Sequence, residues 1–161
     1  MAEFEERLKR AVKRGQHRSQ QQAAAQRAQS LGEEELKRLH TKYRIELAEH
    51  IERCVEKLID HFPGFQYETI YGDRGWGAAV KRDDVRATGD GRSSHYSRLE
   101  LTIRPYSVLH VLDLNAKGTI RDREVFTRKH FERLTEADPD TYQELIDVWV
   151  LEFAEIYAAK N

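Results

Sequence analysis

The chain has 161 residues, 27 Lys plus Arg against 28 Asp plus Glu, and a formal net charge of −1. That length suits one domain with an appendage, and 37 Leu, Ile, Val and Phe residues provide a modest core. No apolar run approaches the ~18–20 residues needed to cross a bilayer, and Met1–Glu6 lacks the apolar stretch of a secretory signal, so a cytoplasmic protein without a membrane partner is expected. The single cysteine, Cys54, excludes an intrachain disulfide and a multi-cysteine zinc site.

The near-zero charge conceals segregation. Residues 1–30 carry seven basic and three acidic groups, whereas residues 138–161 carry one and six. Residues 1–30 hold only Phe4, Leu8 and Val12 from the Leu/Ile/Val/Phe group and cannot form a core. Gln16–Ser30 is a Gln/Ala tract without an apolar stripe. Residues 1–30 therefore read as a basic, flexible or marginally helical arm interrupted at Gly15, and residues 31–161 as a single α+β domain.

From Gly32 to Phe62 the apolar period is helical, through Leu36, Leu39, Tyr43, Leu47, Ile51, Val55, Leu58 and Phe62. Ser30 with Glu33 forms the expected capping box, and Pro63-Gly64 the stop. Alternation then replaces helical spacing. The predicted strands are Phe65–Tyr71, Trp76–Arg86 after a Gly72–Gly75 turn, Tyr96–Arg104 after a polar loop at Ala87–Ser94, Val108–Leu114, and Thr119–Phe126 after a turn at Asn115–Gly118. Arg128–Leu134 reads as a short helix. Asp138-Pro139 opens a C-terminal helix with a stripe of Tyr142, Leu145, Ile146, Trp149, Phe153, Ile156 and Tyr157. Short connections imply an antiparallel five-stranded meander, with the long first helix and the C-terminal helices packed on one face.

The candidate chemistry is sparse. His50 and Cys54 stand one helical turn apart, but two further metal ligands have no recognisable spacing, so the pair reads as the border of the apolar face and no metal or cofactor is expected. Cys54 lies mid-helix rather than at an activating N-terminus, and no serine occupies a nucleophile elbow, so no catalytic residue is assigned. The Gly72–Gly77 segment lacks the Lys-Ser/Thr and the helix of a phosphate loop. Arg74 and Trp76 are the residues there that could contact a partner. Arg98 and Arg104, with Arg82, Arg86, Arg121 and Arg123, could project from the uncovered sheet face beside His110, either as an anion or partner patch or as a lattice paired with Glu100, Asp84 and Asp113.

In residues 7–18, Arg7, Lys9, Arg10, Lys13, Arg14 and Arg18 form a cluster dense enough to bind phosphates, but no aromatic residue within it could stack on bases. The helix, meander, helix order resembles small dimeric secretion chaperones in architecture alone. The leading expectation is a non-enzymatic protein-binding, adaptor or chaperone-like domain that forms a homodimer. Val148, Val150, Leu151 and Ala154 outside the main C-terminal stripe supply the argument for a second buried face. Nonspecific nucleic-acid association through the basic arm is the alternative. A ligand or enzymatic site built on Arg98, His110 and Arg121 ranks third.

Overall fold

The computed structural model describes residues 2–29, 32–88 and 91–160, with the backbone alone considered at 25–29, 86–88 and 92–93. The chain divides into two compact units, residues 1–36 and 37–161. In the first, α1 (Ala2–Gln29) is a continuous helix. The expected break at Gly15 is absent: one glycine costs only about 1 kcal/mol of helix propensity, and the Gln, Ala and Arg residues around it are good helix formers. The proposed Ser30 cap lies outside the described residues.

The helix α2 (Glu33–His61) runs into the second unit, followed by β1 (Gln66–Ile70), a 3-10 turn (Gly72–Arg74), β2 (Trp76–Thr88), β3 (Gly91–Ile103), β4 (Val111–Ile120), β5 (Arg123–Arg133) and α3 (Pro139–Lys160). The five strands form one antiparallel sheet in sequence order. Both α2 and α3 pack on the same face, giving the expected α+β class. Leu47, Ile51, Val55 and Leu58 of α2 and Tyr142, Ile146, Trp149, Phe153 and Tyr157 of α3 are buried with Val80, Leu99, Leu101, Ile103, Leu112 and Leu114 of the sheet. One end of this layer is aromatic: the Tyr157 ring meets those of Phe62 and Phe65 edge-on, each at 5.0 Å between centroids.

Three further sequence expectations are corrected. The polar loop at Ala87–Ser94 is largely ladder, with Ala87 opposite Arg92, Thr88 opposite Gly91 and Val85 opposite Ser94; Gly89 and Asp90 lie outside the described residues. Paired backbone N–H and C=O groups favour a long hairpin whatever the polarity of its side chains.

The turn expected at Asn115–Gly118 is instead the middle of β4, paired with both β3 and β5. Reversal occurs at Arg121-Asp122, whose φ values of 48° and 70° lie in the left-handed region that two-residue hairpin turns require. The Asp122 carboxylate accepts the Tyr96 N–H at 2.9 Å, and the Asp122 N–H is donated to the Tyr96 carbonyl at 2.8 Å. Gly118 serves packing instead: a Cβ there would stand 3.1 Å from the Phe126 ring and 3.2 Å from that of Phe153.

Finally, Arg128–Arg133 is strand, not helix. Its helix-facing polar side chains find partners on α3, Arg128 with Glu152 at 2.6 Å and the His130 ring against Tyr142 at 4.9 Å. Those partners lie more than ten residues away in sequence, and local spacing does not reveal them.

Candidate functional site

His50 and Cys54 occupy adjacent turns of one α2 face because their spacing of four residues nearly matches the helical repeat. The packing of α3 on the same side of the sheet brings Asp147 to them. The His50 Nε2–H is donated to Asp147 Oδ1 at 2.7 Å, and the Cys54 thiol is donated to the same oxygen at 3.3 Å. Cys54 Sγ and His50 Nε2 stand 3.6 Å apart. Three donor atoms of different chemistry thus converge from two helices. Among the described residues this is the one such group of three His, Cys, Asp or Glu ligands.

Burial pushes the Cys54 thiol up to about 11, and the hydrogen bond and negative charge of Asp147 act in the same direction. A cysteine nucleophile needs the reverse, a bare imidazole nitrogen that takes the thiol proton and leaves a thiolate beside an imidazolium. Here the imidazole nitrogen nearest sulfur carries its proton to Asp147. As arranged, the cluster holds a neutral thiol.

Beside the cluster lies a groove of ≈ 540 Å³, lined by Cys54, Lys57, Leu58, His61 and Phe62 from α2 and by Asp147, Val150, Leu151 and Ala154 from α3. On the rim of the groove Leu151, with Val148 one turn before it, raises an apolar ridge on α3, the two being 67% and 56% exposed. Val150, by contrast, is buried, so the second apolar face of α3 contributes to both core and surface.

The residues selected on the sheet do not gather into one patch. Arg98 lies on the face opposite the helices and donates to Glu68 at 2.7 Å and to Glu100 at 3.0 Å, while Arg74 reaches Glu68 at 3.5 Å and Glu100 at 4.0 Å. The Arg98 hydrogen bond holds the Glu68 carboxyl below its usual range, despite partial desolvation, and the two carboxylates raise Arg98 against its own desolvation. Arg74 and Arg104 border a smaller cavity of ≈ 330 Å³ with Ile70, Glu100, Thr102 and Asn115.

Arg82 pairs in register with Ser97 on the helix-facing side and donates to Asp84 at 2.7 Å; the Arg86 side chain is outside the described set. Trp76 also faces the helices, with the Arg44 guanidinium 4.1 Å from its ring centroid. His110 adopts φ 55° in the connection from β3 to β4 and lies against Tyr106. Arg121 is in the opposite hairpin, where its N–H is donated to Ser97 Oγ at 3.0 Å, and Arg123 begins β5. The ten residues of β4 separate His110 from Arg121, about 30 Å at the usual strand rise. These two therefore cannot act on one small ligand.

On α1, Arg7, Lys9, Arg10, Lys13, Arg14 and Arg18 are all exposed, and Arg10 approaches Glu6 at 4.0 Å. Phe4, Leu8 and Val12 form an exposed stripe at four-residue spacing, a pattern that the scarcity of apolar residues had obscured. Asp147 is the participant that sequence reasoning missed. It is 93 residues from Cys54 and carries no local signal beyond lying beside the buried Ile146. No family model matches the chain, and comparison with curated proteins and with solved structures likewise gives no match.

Proposed function

We propose that the chain is a protein-binding domain that works as a homodimer, with the outer surface of α2 and α3 as its self-association face. The observation that supports this reading is the pairing of ridge and groove: Val148 and Leu151 stand exposed beside a groove with Leu58, Phe62 and Val150 in its walls. A two-fold axis presents the same patch on both subunits, so the ridge of one copy enters the groove of the other and the exchange is reciprocal. The charge supports a second copy as the occupant, because Lys57 lies in the α2 wall and Asp147 in the α3 wall. An antiparallel pair sets each wall against its opposite.

Light scattering of the full chain at tens of micromolar tests the proposal. The expected mass is twice that of the chain. Leu151→Glu, at a position already exposed, should give a monomer with an unchanged circular dichroism spectrum. A monomeric unaltered chain, or a Leu151→Glu variant that remains dimeric, overturns the proposal.

A second reading rests on α1. The helix gives the six basic side chains a continuous scaffold on which phosphate contacts can add, with little base discrimination because aromatic stacking groups are lacking within the cluster. Replacing Lys9, Arg10 and Lys13 together by Gln in the full chain should weaken the retention of mixed-sequence DNA in a gel shift. It should also flatten the salt dependence by roughly one unit of log–log slope per lost phosphate contact. Equal retention by both proteins at low and high salt rejects this reading.

A further inference from the structure

We propose that His50, Cys54 and Asp147 form a binding site for a divalent metal of the zinc class, with the fourth coordination position filled by water. The proposal rests on the convergence of three donors within one chain and needs no second copy, although Cys54 and Asp147 also belong to the groove wall of the proposed self-association face. Zinc binds sulfur at ~2.3 Å and nitrogen or oxygen at ~2.0–2.2 Å, so a tetrahedral ion separates a sulfur ligand from a nitrogen or oxygen ligand by about 3.6 Å. Cys54 Sγ is 3.6 Å from His50 Nε2 and 3.3 Å from Asp147 Oδ1. Both distances fit with little movement.

The His50–Asp147 separation of 2.7 Å is a hydrogen-bond distance and must open. The Asp147 side chain is half exposed, which leaves it room to rotate. Cys54 and His50 are held more firmly, because they flank the fully buried Ile51 and Val55 on α2. The pair thus supplies a preset i, i+4 chelate, and the carboxylate closes on the ion from α3. On binding, the thiol proton is released to solvent, the imidazole proton moves from Nε2 to Nδ1 so that Nε2 can bind the ion, and Asp147 exchanges its two hydrogen bonds for one metal bond.

The donor set selects the ion. A thiolate with an imidazole suits Zn²⁺ or Co²⁺ and disfavours Mg²⁺ and Ca²⁺, which take oxygen ligands. Three protein ligands and an open position correspond to the arrangement that zinc adopts where water or another small molecule completes the shell. Two of the three ligands, Cys54 and Asp147, lie in the groove wall, and the half-exposed Asp147 side chain gives water a path to the ion from the outer side of the helices.

Titration of the full chain with Co²⁺, followed by displacement with Zn²⁺, tests the site. The expected result is one equivalent of Co²⁺ giving the sulfur-to-metal charge-transfer absorption of a cobalt thiolate, which Zn²⁺ abolishes and Cys54→Ser lacks. His50→Gln and Asp147→Asn should each weaken binding by at least the 10- to 100-fold that loss of even a supporting partner costs. Because such variants could perturb folding, a second measurement uses the unaltered protein: Zn²⁺ should slow alkylation of Cys54, and Mg²⁺ should not. Absence of the thiolate band, equal affinity in either ligand variant, or alkylation unaffected by Zn²⁺ overturns the proposal.

Discussion

His40 lies on the packed side of α2, buried, with its Nε2–H donated to the Arg104 carbonyl at 3.1 Å and its ring edge-on to Tyr106. Burial holds the imidazole below its usual value of 6.5, and the Arg44 charge adds to this, against the hydrogen bond to the Arg104 carbonyl. The unfolded chain therefore takes up this proton more readily than the folded one. Stability from His40 is fully present above the ordinary histidine range and is lost as the pH falls through 6.5 towards the folded value. Asp113 acts in the opposite direction, because burial raises its carboxyl from 3.8, but its effect belongs to more acidic solution. Urea unfolding on either side of about pH 6.5 should give lower stability on the acid side, and His40→Gln should flatten that dependence while keeping an N–H donor for the carbonyl. An unchanged slope in the variant would place the proton uptake elsewhere.

At the scale of elements, the β2–β3 ladder shows how one missing side chain sets a strand's path. Gly77 pairs with Thr102, and a Cβ built on it falls 2.0 Å from the Leu101 carbonyl oxygen and 3.0 Å from the Leu101 carbonyl carbon. These are backbone atoms of a central strand and cannot turn aside as a flexible side chain would. Gly77→Ala should lower unfolding stability by about 1–3 kcal/mol or more, the range of an overpacked core, with denaturant melts as the measure. A loss under about 0.5 kcal/mol, typical of a tolerant surface position, would mean that the strands can separate there. The hairpin from β4 to β5 is a different case. Arg121 and Asp122 adopt left-handed backbone without the Asn-Gly signal, because the Asp122 carboxylate and two other hydrogen bonds, to the Tyr96 carbonyl and from the Arg121 N–H to Ser97, fix the turn.

For the whole molecule, the proposed homodimer would tie stability to concentration. If the ridge of Val148 and Leu151 is buried between copies, the midpoint of thermal unfolding should rise with protein concentration, and Leu151→Glu should abolish that rise. This complements the light-scattering experiment by reporting whether association is linked to folding. Charge enters at the same scale. The total of −1 combines net +4 in residues 1–30 with net −5 in residues 138–161, so association that brings these segments of different copies together should weaken with salt. An interface made from the α3 ridge and its groove should be much less salt-sensitive, because apolar burial supplies most of its free energy.

The amino-acid sequence by itself determined the two long domain helices, the antiparallel meander and the absence of any helix able to cross a membrane among the described residues. Each of these follows from local periodicity: a stripe at three to four residues, alternation at two, or a run too short and too charged. It also marked Val148 and Leu151 as apolar residues left outside the main stripe. The tertiary structure alone decided the end of β4, the strand identity of Arg128–Arg133, the ion pair of Arg98 with Glu68 and the meeting of Asp147 with His50 and Cys54. In each case the deciding partner is remote in sequence. Tyr96 and Ser97 secure a turn 24 to 26 residues away, Glu152 pairs with a strand arginine, and Glu68 on β1 reaches across β2 to Arg98 on β3. Local patterning reports which face of an element is apolar, whereas a polar side chain acquires its chemistry only from the partners that packing places beside it.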